Sequence, residues 1–264
     1  MDLGFRDRVA IVGGSSKGMG RAIAMALARE GASVTVCARN EGELRRAEIE
    51  IARASSQHHV LAIPADLSRD ADIKRIVRST FNRFGRIDIA VNNVGTSPLG
   101  QPSELEDREW GEALEQNFFS VVRMSREVVP YMKQQQWGRI VNRLSISVKQ
   151  PMDGMGLATA SRMGVVGYSK MLANELAPFN ITVNNVLAGY IQTDQLSAYY
   201  ENRARETGRS AEEMMNEAAR VVPMGRLGRP EDVGDVIAFL ASERAGYITG
   251  ENVVLDGGAV RATL

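Results

Sequence analysis

A chain of 264 residues with 44% hydrophobic content is long enough to bury a full core, and its formal net charge of zero excludes a basic field for nucleic acid or a polybasic patch for a membrane surface. Cys37 is the single cysteine, which excludes an internal disulfide and a cysteine-built metal cluster and fits a reducing compartment. No apolar run reaches the length of a membrane span and residues 1–10 carry no signal-peptide core, so the expected location is the cytoplasm.

Val9-Ala10-Ile11-Val12 is apolar without alternation, the pattern of a strand buried on both faces. It runs into Gly13-Gly14-Ser15-Ser16-Lys17-Gly18-Met19-Gly20, then into an alanine-rich helix from Arg21 that Gly31 stops. Residues 33–38 read as a second strand, 41–54 as a helix and 59–63 as a third strand. Ser68 is the expected cap of a helix that runs to Phe84 and ends at Gly85, and residues 87–91 form a fourth strand followed at once by Asn92-Asn93-Val94-Gly95. A long helical stretch covers 107–135, a strand 139–145 and a helix 157–177. Residues 181–186 form a sixth strand, 194–226 are the least regular, Pro230 opens a helix through Leu240, and 252–255 close as a last strand. Regular alternation of strand and helix with right-handed crossovers predicts one α/β domain over residues 1–264, a doubly wound parallel sheet of about seven strands with helices on both faces. Ligands bind such sheets at the carboxyl ends of the strands.

The turn after the first strand is the functional part. Gly14, Gly18 and Gly20 leave no Cβ in the way of a pyrophosphate approaching the amides of Ser16, Lys17 and Met19 at the helix N-terminus. In NAD-binding sheets an acid at the end of the second strand grips the ribose 2′-hydroxyl; here the segment reads Cys37-Ala38-Arg39-Asn40. A cation in place of the acid, with Lys17 beside it in the turn, favours NADP(H) over NAD(H), the alternative being that both are solvated surface charges. Asp66 and Leu67, just past the third strand, are placed against the adenine, although Asp66 also suits a helix cap.

Along its whole length the chain resembles the short-chain dehydrogenase/reductase family, and within it the 3-oxoacyl-[acyl-carrier-protein] reductase-like members. The resemblance rests on Gly14-x-x-x-Gly18-x-Gly20, Asn92-Asn93-Val94-Gly95, Asn117, Ile140-Val141-Asn142 leading to Ser145, Gly189-x-Ile191-x-Thr193 and Asp256-Gly257-Gly258, all in family order. It implies a Rossmann fold, support of adenosine and ribose by Asn93 and Gly95, and a grip on the nicotinamide carboxamide by Ile191 and Thr193. Ser145 and Asn117 take the places of catalytic residues. The family places a tyrosine thirteen residues after the serine and a lysine four beyond that; here those positions are Ala158 and Arg162, and none of the six tyrosines has a lysine four residues on. Gly13 stands where a threonine is usual, and Ala188 where a proline is.

In the family reaction the tyrosine protonates the carbonyl oxygen as hydride arrives. Ala158 has no proton to give, and general acid catalysis is worth about 10²- to 10⁴-fold. Arg162 remains an anchor for the nicotinamide ribose. The candidates for the vacated function are Lys149, otherwise a solvated loop cation, and Tyr190, otherwise a packing residue, with Gln150 beside them on the substrate side. Tyr199 and Tyr200 read as apolar wall, and His58 and His59 as surface or packing groups. Arg143, two residues before Ser145 on a central strand, either finds a carboxylate in a structural ion pair, the expected case, or points into the active site. Residues 194–226, with Leu196, Met214, Met215, Val221, Val222 and Met224 among charges, are expected to form amphipathic helices that act as a substrate lid. Ala160, Gly164 and Gly167 make a smooth stripe that either packs internally or, as in family members, pairs with a second copy in a homotetramer or homodimer.

The expected activity is therefore NADP(H)-dependent oxidation or reduction of a small-molecule alcohol or carbonyl, with no metal, through a site that lacks the tyrosine. Two alternatives stand beside it. One is a protein that binds NADP(H) without turnover, and the other is a non-redox enzyme on the same scaffold, of the kind seen in halohydrin dehalogenases, which use an arginine at the position of Arg162.

Overall fold

The computed structural model describes residues 2–55, 59–93, 95 and 97–263, without the side chains of 195 and 206. Seven parallel strands form one sheet in the order β3-β2-β1-β4-β5-β6-β7: β1 (Val9–Gly13), β2 (Ser33–Ala38), β3 (Val60–Pro64), β4 (Ile89–Asn92), β5 (Gly138–Ser145), β6 (Ile181–Ala188) and β7 (Asn252–Leu255). The helices between them are α1 (Gly18–Arg29), α2 (Glu41–Ala54), α3 (Asp70–Phe84), α4 (Asp107–Leu114), α5 (Ser120–Gln135), α6 (Gly156–Leu176), α7 (Asp194–Thr207), α8 (Ala211–Val221) and α9 (Pro230–Ala241). This is the doubly wound Rossmann architecture, and among the described residues no helix is long and apolar enough to cross a membrane.

The unbroken apolar strands are explained by burial on both sides, because successive side chains point to opposite faces. In β1, Ala10 and Val12 enter the core layer shared with Ile23 and Leu27 of α1, Leu44 of α2 and Ile237 of α9, while Ile11 enters the layer of Ile73 and Ile76 of α3, Val128 of α5 and Leu176 of α6. Cys37 sits in that second layer, fully buried, where desolvation pushes its thiol up to about 12 and leaves it inert. The switch point lies between β1 and β4, whose crossovers leave in opposite directions, and opens a crevice at the strand ends.

Two local expectations are corrected. Ser68 does not cap α3: the cap position is Arg69, with no side-chain cap bond, and the Ser68 hydroxyl is spent on Asp66 Oδ1 at 2.8 Å. The long helix of 107–135 is not uniform, since Glu115–Phe119 form a single π-helical turn between α4 and α5. That extra residue per turn rotates Asn117 into the interior, where it is completely buried. The irregular 194–226 segment resolves into α7 and α8; Met214 and Val222 are buried, but Val221 and Met224 face solvent. His59 is exposed at the foot of β3, and His58 lies outside the described residues.

Candidate active site

At the carboxyl ends of the strands lies a cleft of about 680 Å³. It runs from Ala38, Arg39 and Asn40 after β2, past Asp66 and Leu67 after β3, across Gly14, Ser16, Lys17, Gly18, Met19 and Gly20, to Asn93, Gly95 and Arg143 at the ends of β4 and β5, with Thr193 on the rim. Thus twelve of the fourteen residues expected to hold a cofactor line it; the two that do not are Ile191, buried in the core where it pairs with Gly228, and Arg162, which lies beneath the surface.

The turn after β1 is held by backbone contact. Gly14 and Gly18 have φ of +55° and +56°, and a Cβ on Gly20 would stand 2.1 Å from Gly14 O. Asn93 Nδ2 donates to Gly13 O at 3.0 Å and Gly14 O at 3.1 Å, which ties the turn to the end of β4. Gly13 in place of threonine has a local reason: a Cβ there would meet Leu67 Cδ1 at 3.0 Å. The N-terminus of α1 has no side-chain cap and no acid in its first turn, so its amides and the positive end of its dipole remain available to an anion.

The β2 end is less cationic than Lys17 and Arg39 imply. Arg39 is exposed on the cleft wall, but Lys17 Nζ lies 3.2 Å from Glu43 Oε1, and Ser16 Oγ donates to Glu43 Oε2 at 3.5 Å. Glu43 lines the cleft, a residue the sequence reading missed because it sits inside α2 as an ordinary first-turn acid; its distance from the end of β2 was the available signal. Asp66 lines the wall with its carboxylate accepting from the Ser68 amide at 3.0 Å, while its own amide is capped by Asp72 Oδ2 at 2.9 Å.

The β5 end is built from buried side chains. Ala158 is 3% exposed on the first turn of α6, and one turn later Arg162 is 4% exposed. Arg162 donates to Gly95 O at 2.7 Å and to Asn117 Oδ1 at 3.5 Å, both neutral acceptors. Asn117 Nδ2 in turn donates to Ser97 Oγ at 2.7 Å and Ser161 Oγ at 3.1 Å, two hydroxyls not singled out in the sequence because 20 and 44 residues separate them from Asn117. Asn117 is therefore a clamp on Arg162.

Of the two alternatives for Arg143, its contacts with described residues follow the one that was not expected, a place on the cleft wall. Its side chain lines the cleft, and Nε donates to Asn93 Oδ1 at 2.7 Å. Burial lowers the Arg162 guanidinium to about 10, and burial together with the neighbouring Arg162 charge lowers Arg143 to about 9; both stay protonated at neutral pH.

Ser145 ends β5 and begins a short 3₁₀ turn, its Oγ accepting from the Ser147 amide at 3.1 Å. Lys149 follows that turn, half-buried. Tyr190 is half-buried against the cluster of Leu144, Ile146 and Leu187, and Tyr199 and Tyr200 contact each other edge to face at 5.2 Å. Gln150 is exposed, and its Oε1 accepts from the Arg261 amide at 3.1 Å, which ties down the C-terminal segment.

Residues 14–260 match the family described as Enoyl-(Acyl carrier protein) reductase. The 3-oxoacyl-[acyl-carrier-protein] reductase FabG of Escherichia coli (strain K12) is 34% identical over 256 residues, covering 97% of this chain and 98% of that protein. The monensin polyketide synthase putative ketoacyl reductase of Streptomyces virginiae is 35% identical over 256 residues, covering 95% and 96%. Among solved structures, L-sorbose reductase from Gluconobacter frateurii, complexed with NADPH and L-sorbose, superposes with a TM-score of 0.96 at 30% identity, covering 99% of this chain and 100% of that one.

Proposed function

The chain belongs to the short-chain dehydrogenase/reductase superfamily and is related to its 3-oxoacyl reductases and polyketide ketoreductases, and from that premise we propose that it is an NADP(H)-dependent reductase of a small carbonyl compound that works without the tyrosine. The observation that carries this reading is the single cleft joining Arg39, the uncapped start of α1 and the Asn93–Gly95–Arg143 end. Its donors suit the cofactor. Backbone amides of the first turn of α1 meet the pyrophosphate, Arg39 and Lys17 meet the 2′-phosphate once Lys17 leaves Glu43, Asp66 and Leu67 flank the adenine, and Asn93, Gly95 and Thr193 hold the far half, with the buried Ile191 supporting Thr193 from behind. The structure of the Gluconobacter relative with NADPH supports the same choice of dinucleotide.

When bound, the reduced cofactor supplies hydride. The chain's own residues do the rest: Ser145 donates a hydrogen bond to the substrate carbonyl oxygen, Arg162 holds the nicotinamide ribose, and Asn117 keeps Arg162 in place. As negative charge develops on oxygen, the guanidinium charge beneath it stabilises the transition state electrostatically. Lys149, four residues beyond Ser145, delivers the proton that Ala158 cannot. Thr193 both lines the cleft and caps α7 by accepting from the Leu196 amide at 3.3 Å, so the α7–α8 segment closes over the substrate as a lid hinged at the cofactor. Ala160, Met163, Gly164, Gly167 and Met171 form an outward stripe on α6, and a second copy covers it; light scattering then gives a dimer or tetramer that Gly167→Arg dissociates.

NADPH oxidation on a panel of ketones, ketoses and 3-oxoacyl thioesters tests the activity. Turnover of at least one class by the native chain, lost in Ser145→Ala, supports it. Tight NADPH binding with turnover appearing only in the double variant Ala158→Tyr/Arg162→Lys establishes instead a binding protein without turnover, the reading that the buried, hydroxyl-free Ala158 favours.

A further inference from the structure

The two arginines at the β5 end converge on one segment of chain, and their arrangement bears on the charge of whatever occupies the far half of the cleft. Arg143 and Arg162 lie on different elements, yet both reach the same three-residue segment after β4: Arg143 Nε to Asn93 Oδ1 at 2.7 Å and Arg162 to Gly95 O at 2.7 Å. Arg162 is 4% exposed, and its two acceptors carry no formal charge. Charge acting on Arg143 includes that of Arg162, which makes the deprotonation of Arg143 easier. Among the described residues, the carboxylates on this part of the cleft wall are at its rim: Glu112 is largely exposed and paired with Arg108 at 3.4 Å, and Asp194 is exposed at the start of α7. Solvent screens rim charges far more than buried ones.

The direction in which a dinucleotide lies is set by the fold. With pyrophosphate on the turn after β1 and adenosine against the ends of β2 and β3, the nicotinamide half extends toward Asn93, Gly95 and Arg143. The oxidised ring is a cation and the reduced ring is neutral. Like charges in a site shielded from water repel strongly, and the 2′-phosphate and pyrophosphate, present in both redox forms, do not alter that difference.

Resting on the reading of the cleft as an NADP(H) site, we infer that the Arg143–Arg162 pair discriminates between the redox forms of the cofactor, so that the protein loads NADPH and rejects NADP⁺. Arg143 is then a specificity-determining residue for cofactor charge. The consequence is kinetic. No protein shifts the overall equilibrium between free substrates and products, but one that binds NADP⁺ weakly escapes inhibition by it and works in the direction of reduction. The pair also explains what a cation gains at position 143, where an apolar residue would satisfy a central strand.

The experiment is a set of binding titrations of the native chain, Arg143→Gln and Arg143→Lys with three probes: NADPH, NADP⁺ and adenosine 2′,5′-bisphosphate. Expected for the native chain is a preference for NADPH over NADP⁺ of about tenfold or more, the lower range of coupling between charged sites. Arg143→Gln, which keeps a donor for Asn93, brings the ratio to within about threefold of unity, and Arg143→Lys, which keeps the charge, restores it. Adenosine 2′,5′-bisphosphate, which lacks the nicotinamide half, binds all three alike and shows that each variant is folded. Equal affinity of the native chain for both forms overturns the inference, as does an equal loss of both in Arg143→Gln, which would make Arg143 a pyrophosphate ligand. Failure of the native chain to bind any of the three probes overturns the cofactor reading itself.

Discussion

Strand β5 carries an arginine toward each end, Arg139 at the foot of the sheet and Arg143 at its head, and the two are accommodated in different ways. Arg139 is 2% exposed; it donates to the carbonyls of Ser242, Gly138 and Asn180 and lies over the Trp137 ring at 4.3 Å. Arg8 stacks on the same ring and bonds Asp88 at 3.1 Å and Glu243 at 2.9 Å, and Asp88, fully buried, also takes two bonds from Arg86 and one from the Val9 amide. Cation and anion are both supplied by the chain, and the foot of the sheet is a structural cluster. At the head, the bonds made to described residues run from Arg143 to Asn93 and from Arg162 to Gly95 and Asn117, with Arg143 on the wall of a cleft and Arg162 buried behind it. The difference teaches where to look for function in a fold rich in buried charge. Burial alone does not distinguish the two clusters; their companions do.

That contrast can be broken most forcefully at the foot. Asp88→Asn takes the buried carboxylate from Arg86 and leaves Arg8 with Glu243 alone, and is expected to destabilise the fold by about 3 kcal/mol, the lower end for a broken buried pair because both arginines are partly solvated, in chemical denaturation, with adenosine 2′,5′-bisphosphate affinity unchanged below the transition. A matching loss of affinity would show that the two ends are not independent. At the head, Gly20→Ala forces a Cβ to 2.1 Å from Gly14 O, and overpacking of up to about 3 kcal/mol corresponds to about 100-fold weaker nucleotide binding, measured by titration. Ser145→Ala, with its hydroxyl gone and the cleft intact, is expected to reduce carbonyl turnover by about 10²-fold while leaving NADPH affinity as it was. Smallest is Glu43→Gln, which frees Lys17 from an exposed ion pair worth about 0.2–1 kcal/mol and tightens NADPH, but not NADH, by about two- to fivefold. Tightening of both nucleotides would place Glu43 away from the 2′-phosphate.

The fold was legible because its signals are local. Unalternating apolar strands, the glycine turn and the regular return of strand after helix lead to the parallel sheet directly, and strand and helix bounds such as 33–38 and 41–54 coincide with those in the structure. Counting thirteen residues from Ser145 leads to Ala158, and four more to Arg162, from the sequence alone. What stayed hidden was of another kind. A π-helical turn is one extra residue inside an otherwise helical pattern and leaves no periodic trace, so the inward rotation of Asn117 was not foreseen. Glu43 was overlooked because its role depends on how α2 lies against the turn after β1, and the ion pair first expected for Arg143 gave way to a bond with a side chain 50 residues away.

By itself the amino-acid sequence determined the architecture, the place of the cleft and the spacing that puts Ala158 and Arg162 after Ser145, since each depends on neighbours along the chain or on a count of residues between motifs. Only the tertiary structure decided the company kept by the buried charges: Asp88 for Arg8 at one end of the sheet, and the Asn93–Gly95 segment for both Arg143 and Arg162 at the opposite end. The physical reason is that the energy of a buried charge depends on the groups within a few ångströms of it, and across 50 to 80 residues of chain only folding brings those groups together.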